Sequence, residues 1–315
     1  MFDDKRSHEE PWLIFSGDFL FVGSIGRPDL LGEEEQIKST FSTLNTFPDY
    51  SEIYPGHGAG SLCGKAIGAR DSSTVGYEKK YNASLVEKPE TEWIQNLMQD
   101  MPPAPPYFSV MKKVNVEGPK IFGDTLPGTR PLPASIAIQK QQEGAVIVDF
   151  RSKESFADAH IPGSINIPLS QVVSTWAGWL LNYDQPLILV LDSPNQLNEV
   201  VTMLIRVGFD DILGYLENGI NSWEFPLESF SLIHEKDFAQ LPHQVVTIDV
   251  RSQGEWQDKP LKNAIHIPLG QLSQKIEKIP NDKPIYTICR GGYRAAVAAS
   301  ILQKAGIKDV HAVVS

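Results

Sequence analysis

The strongest constraint on this chain is that part of it is written twice. AVIVDFRSKESF at 145–156 is matched by VVTIDVRSQGEW at 245–256, so that Asp149, Arg151 and Ser152 correspond to Asp249, Arg251 and Ser252. NIPL at 166–169 and HIPL at 266–269 keep the same spacing, and a later glycine recurs as Gly208 and Gly306. A unit repeated at this length predicts two copies of one module. Each copy reads as strand, loop, strand and helix, with continuous apolar strands such as VIVD, LILVL and VVTIDV. Apolar strands alternating with helices predict an α/β fold, a doubly wound parallel sheet covered on both faces. In such sheets ligands sit at the carboxyl ends of the strands.

The remainder divides into two stretches. Residues 1–102 show a strand pattern over Trp12–Val22, a helical pattern over Gly32–Thr46, a second strand running from Ile53 into a glycine-rich turn, and a polar helix around Glu90–Asp100. The proline cluster MPPAPPYF then opens a semi-rigid linker over residues 103–120. The two modules follow at 121–230 and 231–315.

Charge and cysteine content narrow the function. The formal net charge is −11, which argues against nucleic acid or an anionic membrane as partner. It leaves room for a small anion bound in a local basic loop. Cys63 and Cys289 are too few for a disulfide framework, so the cytoplasm is the expected setting. The polar start MFDDKRSHEEP lacks the apolar core of a signal peptide, and the apolar runs are too short to span a membrane.

One basic loop stands out. The strand Pro284–Ile288 delivers Cys289, CRGGYR follows, and an alanine-rich helix from Ala295 runs on to Gly306. Glycines let backbone amides curl inward, and those amides and the helix N-terminus carry positive potential. Two arginines add to it. Such surroundings favour a thiolate nucleophile in an anion cradle.

CRGGYR, preceded by IDVRS and IHIPL, resembles a rhodanese active-site loop. The resemblance implies sulfurtransferase chemistry. Cys289 would take sulfane sulfur from thiosulfate or a thiol persulfide, hold it as a persulfide, and pass it to a thiol, sulfite or cyanide. Gly291, Gly292 and Tyr293 would line the cradle, and Arg290 and Arg294 would bind the anionic donor. No cofactor is needed for this step. A cysteine phosphatase of related architecture is the competing reading. That family places five residues between cysteine and arginine, whereas Cys289 and Arg294 have four between them, a narrower cradle suited to one sulfur atom.

The first copy has no thiol at that place. Counting from the strand end puts Asp192 at the nucleophile position; counting back from Gly208 puts Leu191 there. Pro194 removes an amide that the cradle would use. This copy resembles an inactive rhodanese module. His160, in DAHIPGS, is expected to be structural, as are Asp149, Arg151, Asp249 and Arg251, read as strand-end ion pairs.

LIFSGDFLFVGSIGRPDLLG and IYPGHGAGSLCGKAIG resemble the C-terminal half of a metallo-β-lactamase αββα fold, in the persulfide dioxygenase and glyoxalase II-like branch. Joined to two rhodanese modules, this is similar to the bacterial persulfide dioxygenase–sulfurtransferase fusions of sulfide detoxification. By that resemblance Asp18 is an iron(II) ligand, His57 lies beside the metal, and Arg27 and Tyr77 lie near the substrate. The family's HxHxDH motif does not precede Asp18 here, so the iron site is expected to be incomplete. Cys63 either receives a persulfide near that pocket or fills a turn. The chain thus reads as a family member shortened at both ends. Its expected partners are a sulfane-sulfur donor and a thiol or sulfite acceptor, and a homo-oligomer is expected. Two other functions stay open: an iron-dependent persulfide dioxygenase or related hydrolase completed by an upstream half, and a non-catalytic fragment.

Overall fold

The structure is a computed structural model that describes residues 2–3, 10–27, 39, 42–59, 61, 63–64, 67–85, 92, 104–241 and 244–315. It divides into two units, Met1–Ala104 and Pro105–Ser315. Most of the helical pattern at Gly32–Thr46 and of the one at Glu90–Asp100 lies outside the described residues.

In the first unit, strands β1 (Phe2–Asp3), β2 (Pro11–Gly17), β5 (Glu52–Pro55) and β6 (Ser73–Thr74) form one sheet in the order β1-β2-β5-β6. Between β2 and β5 in sequence, β3 (Leu20–Phe21) and β4 (Ser24–Ile25) make a small hairpin. The central pair β2 and β5 is parallel and the outer pairs are antiparallel. Towards its end β2 buries Ile14 and Ser16 and exposes Phe15 between them, as the two-residue period of a strand requires. Ile14, Leu20, Ile25, Leu44, Ile53, Val75 and Leu85 form this unit's core among the described residues. The helix Val75–Tyr81 starts at Thr74, whose side chain accepts from the Tyr77 amide, a standard N-cap.

The second unit contains the repeat. Its first sheet has the order β7 (Pro131–Leu132), β11 (Ile212–Leu216), β10 (Leu187–Val190), β8 (Val146–Asp149) and β9 (Ile165–Asn166). The second has the order β12 (Ser231–His234), β16 (Val310–Val314), β15 (Ile285–Ile288), β13 (Val246–Asp249) and β14 (Ala264–His266). Every pairing in both sheets is parallel, and the two orders are the same.

The span expected to be a linker behaves differently. Tyr107–Glu117 is a helix preceded by Pro106, and Tyr107 packs against the core of the second unit. Proline is tolerated at a helix start because its missing N–H has no intrahelical partner there. The proline cluster therefore marks where this helix begins.

The two modules share one apolar core, because the helix Tyr293–Lys304 is buried along Ala295–Leu302. Ala295, Ala296, Ala298 and Ala299 are fully buried; side chains this small let neighbouring elements approach the helix backbone closely. Ser300 of this helix accepts the Asn166 amide of the other module at 3.1 Å.

Candidate active site

β15 runs parallel to β13 with Ile288 opposite Asp249, so both strands end together and Cys289 is the first residue beyond the edge. Gly292 turns the chain back with φ of +81° and opens the helix. Its amide donates to the Cys289 Sγ at 3.2 Å. A Cβ at Gly292 would lie 2.7 Å from the Val314 side chain, so both backbone angle and space select glycine here. Gly291 has open space around it. Arg290 is exposed and Cys289 is half-buried.

Tyr293 faces the other module. Its hydroxyl donates to the Pro168 carbonyl at 3.2 Å, and burial pushes its pKa up to about 12. Beside that contact a cleft at the strand ends of the first copy is lined by Ser152, Asp192, Gln196 and Tyr293 itself.

Arg294 is placed otherwise than expected. Its Nη1 and Nη2 donate to the two carboxylate oxygens of Glu255 at 2.6 and 2.8 Å. Glu255 first, and the Cys289 side chain after it, hold the guanidinium's pKa above its usual value. Arg294 is thus engaged by a carboxylate through both of its terminal nitrogens. Glu255 is itself fixed by a capping box: it accepts the Ser252 amide at 2.9 Å while the Ser252 hydroxyl accepts the Glu255 amide. Arg294 and then Ser252 hold the Glu255 carboxyl down to about 2.

The repeated Asp–Arg pairs are structural struts. Arg251 grips Asp249 through Nε and Nη2 and donates to the Lys259 carbonyl at 2.8 Å. Arg151 makes the same bonds to Asp149 and to the Ala159 carbonyl, also at 2.8 Å. Each pair ties a strand end to the end of the following helix. The His266 ring bonds the Arg251 carbonyl at 2.9 Å and stacks on Trp256, whereas its counterpart Asn166 donates to the Arg151 carbonyl. His160 is buried, stacks on Phe156 with 4.0 Å between ring centroids, and bonds the Phe156 carbonyl. Burial pushes its pKa down.

Pairing register settles the first copy. Val190 lies opposite Asp149 as Ile288 lies opposite Asp249, so Leu191, not Asp192, stands where Cys289 stands. Leu191 is buried. The amides of Asp192 and Ser193 both donate to the Gln196 Oε1, at 3.2 and 3.3 Å. The first copy fills its own cradle with a side-chain oxygen.

In the first unit Asp18 and His57 meet: Nε2 of His57 is 3.3 Å from Oδ1 of Asp18. Cys63 joins them, and no two of the three donor atoms are more than 4.8 Å apart. Arg27 is buried, and Tyr77 is exposed with its ring against Tyr81. An iron(II) facial site takes two imidazoles and a carboxylate. This group offers one imidazole, one carboxylate and one thiol, so it does not fit that ion.

Two residues went unnoticed in the sequence. Each was signalled only as the last position of a helix-start pattern, Glu255 by S-x-x-E from Ser252 and Gln196 by S-x-x-Q from Ser193.

Comparison with known proteins places the repeat in a family and finds a structural likeness that reaches beyond it. A family described as the rhodanese-like domain matches residues 134–225 and 234–314. YqhL of Bacillus subtilis is 28% identical over 109 residues, 35% of this chain and 84% of that protein. The thiosulfate sulfurtransferase GlpE of Coxiella burnetii is 27% identical over 88 residues, 28% of this chain and 76% of that protein. Among solved structures, a metallo-β-lactamase from Staphylococcus aureus is 38% identical with a TM-score of 0.52, covering 66% of this chain. That share is more than Met1–Ala104 can supply, so the likeness extends into the repeat. This chain spans 59% of that structure's length. Among the described residues no helix is long and apolar enough to cross a membrane.

Proposed function

Because the chain belongs to the rhodanese-like family and carries two such domains, we propose that it is a sulfurtransferase working through a persulfide on Cys289. The observation that carries this reading is the Gly292 amide, which donates to the Cys289 Sγ at 3.2 Å at the mouth of a strand–helix turn. A thiolate at that atom attacks the sulfane sulfur of thiosulfate or of a thiol persulfide. The sulfur–sulfur bond breaks, sulfite or a thiolate leaves with the bonding pair, and Cys289 holds an anionic persulfide. An acceptor thiolate, sulfite or cyanide then attacks the outer sulfur and releases the Cys289 thiolate. No net oxidation or reduction of the protein takes place.

The helix N-terminus and the Gly292 amide oppose the negative charge in each state. Arg294, held by Glu255, supplies a fixed positive charge beside the sulfur. Arg290, exposed next to the cysteine, is the arginine open to an incoming anionic donor. The first module lacks the nucleophile and serves as a buttress through Tyr293 and Ser300. The similarity to GlpE supports thiosulfate as one donor.

The first unit, by its likeness to a metallo-β-lactamase structure, supports a wider setting in which sulfur transfer is coupled to persulfide oxidation. No step is assigned to iron there, since Asp18, His57 and Cys63 do not make its usual ligand set.

The test is sulfur transfer from thiosulfate to cyanide by the full chain. Cys289→Ser is expected to abolish turnover and the persulfide mass shift on the protein. Undiminished turnover in that variant overturns the reading.

A further inference from the structure

We infer that the cleft at the carboxyl ends of the first copy's strands is a second ligand site, and that it takes a compact organic cation, a primary ammonium on an apolar body. The site does not rest on sulfur transfer at Cys289, which is not among the described residues lining it.

Three strand ends build the cleft. Lys153 lies just beyond β8, Pro168 and Leu169 follow β9, and Asp192 and Gln196 follow β10. Open parallel sheets offer ligand sites at such ends. Tyr293 closes the cleft from the second copy, anchored by its bond to the Pro168 carbonyl. The space is about 290 Å³, enough for one small molecule. Pro168, Leu169 and the Tyr293 ring give it an apolar wall.

Charge decides the class of ligand. Arg151 is taken by Asp149, and the Lys153 Nζ by Glu154 at 2.5 Å. The Asp192 carboxylate is left over. Among the described residues no hydrogen bond or ion pair engages it, although the Asp192 amide is fixed by Gln196. Three carboxylates thus share two cations. The surplus is felt inside the fold: burial first, and Asp192 as well, push the Asp149 carboxyl up against the pull of Arg151. An anion would add to the surplus and a neutral molecule would leave it. An ammonium cancels it, and it can also lie over the face of a tyrosine ring. The amides that could have held an anion, those of Asp192 and Ser193, already donate to the Gln196 Oε1.

The test uses three probes that share a phenyl ring and differ in charge: phenethylammonium, neutral 2-phenylethanol and anionic phenylacetate. Each is titrated into the full chain, with binding read by saturation transfer to the ligand and by calorimetry. Phenethylammonium is expected to bind at least about tenfold more tightly than the alcohol, the scale of one hydrogen bond to a charged group. Phenylacetate should not bind. A chain of net charge −11 attracts cations at many places, so the decisive reading is the loss at one residue. Asp192→Asn should remove the advantage of the ammonium, and Asp192→Lys should pass it to phenylacetate. Asp192 is exposed and its carboxylate has no partner to lose, so neither substitution costs the fold a contact. Cys289→Ser should bind phenethylammonium as wild type does. Absence of saturation transfer to phenethylammonium, equal affinity for the three probes, or an ammonium preference that survives Asp192→Asn would each overturn the site.

Discussion

Arg294 and Glu255 are joined through both ends of the guanidinium, at 2.6 and 2.8 Å, across 39 residues of sequence. The fork geometry makes this a directional contact: a bidentate arginine–carboxylate pair fixes orientation as well as charge. In the proposed sulfur transfer Arg294 therefore acts from a held position. Glu255→Gln keeps the shape and removes the charge. It is expected to lower kcat/KM for sulfur transfer about tenfold, roughly 1.4 kcal/mol of transition-state stabilisation. Arg294→Lys should lose at least as much, since an ammonium cannot make the fork. Wild-type kcat/KM in Glu255→Gln would show that the pair only supports the fold.

The same pair has a pH signature. The Glu255 carboxyl is held down to about 2, so its contribution to stability is fully present above the ordinary glutamate range and fades as pH falls towards about 2. Chemical unfolding of wild type and Glu255→Gln between pH 5 and pH 2 should converge on the acid side; parallel curves would contradict this assignment.

The two loop glycines should respond differently. Gly292→Ala puts a Cβ 2.7 Å from Val314 on a residue with φ of +81°. The left-handed backbone alone costs roughly 1–2 kcal/mol, and the clash displaces the amide that faces the sulfur. Loss of both stability and turnover is expected, read by urea unfolding and sulfur transfer. Gly291→Ala meets nothing within 4 Å and should be nearly neutral in both.

Much of this was legible in the sequence, and the parts that were not share a cause. The repeat carried the two parallel sheets and the Asp–Arg struts, because short-range spacing encodes strand ends. CRGGYR carried the cysteine turn for the same reason. Glu255 was visible as a helix cap, but its grip on Arg294 is a long-range contact that local pattern does not hold. The choice between Leu191 and Asp192 needed pairing register, which two counting frames could not decide. The helix Tyr107–Glu117 was read as linker because proline stops a helix in its interior yet suits its first turn.

The first copy offers an internal control. Leu191 stands in the register of Cys289, and the amides beside it are already occupied by Gln196. Restoring a thiol there should not restore a cradle. Leu191→Cys in the Cys289→Ser background is expected to show no sulfur transfer above Cys289→Ser itself. Recovered turnover would mean that a thiol at this strand end suffices without free amides.

His160 ties stability to pH near neutrality. The ring is buried, stacked on Phe156 and flanked by Phe230 at 5.9 Å. The charged groups that bear on it are few: the Arg151 guanidinium also disfavours its protonation, while the Phe156 carbonyl and Gln303 favour it and are outweighed by burial. The folded-state pKa is therefore below the unfolded value. The unfolded chain binds a proton that the folded chain resists, so stability is present above the ordinary histidine pKa of ~6.5 and declines as pH falls below it. His160→Phe keeps the stack and removes the titration. Wild type is expected to lose more stability than His160→Phe between pH 7.5 and pH 5.5, measured by urea midpoint at constant slope. Equal losses in the two proteins would place the acid sensitivity on another group.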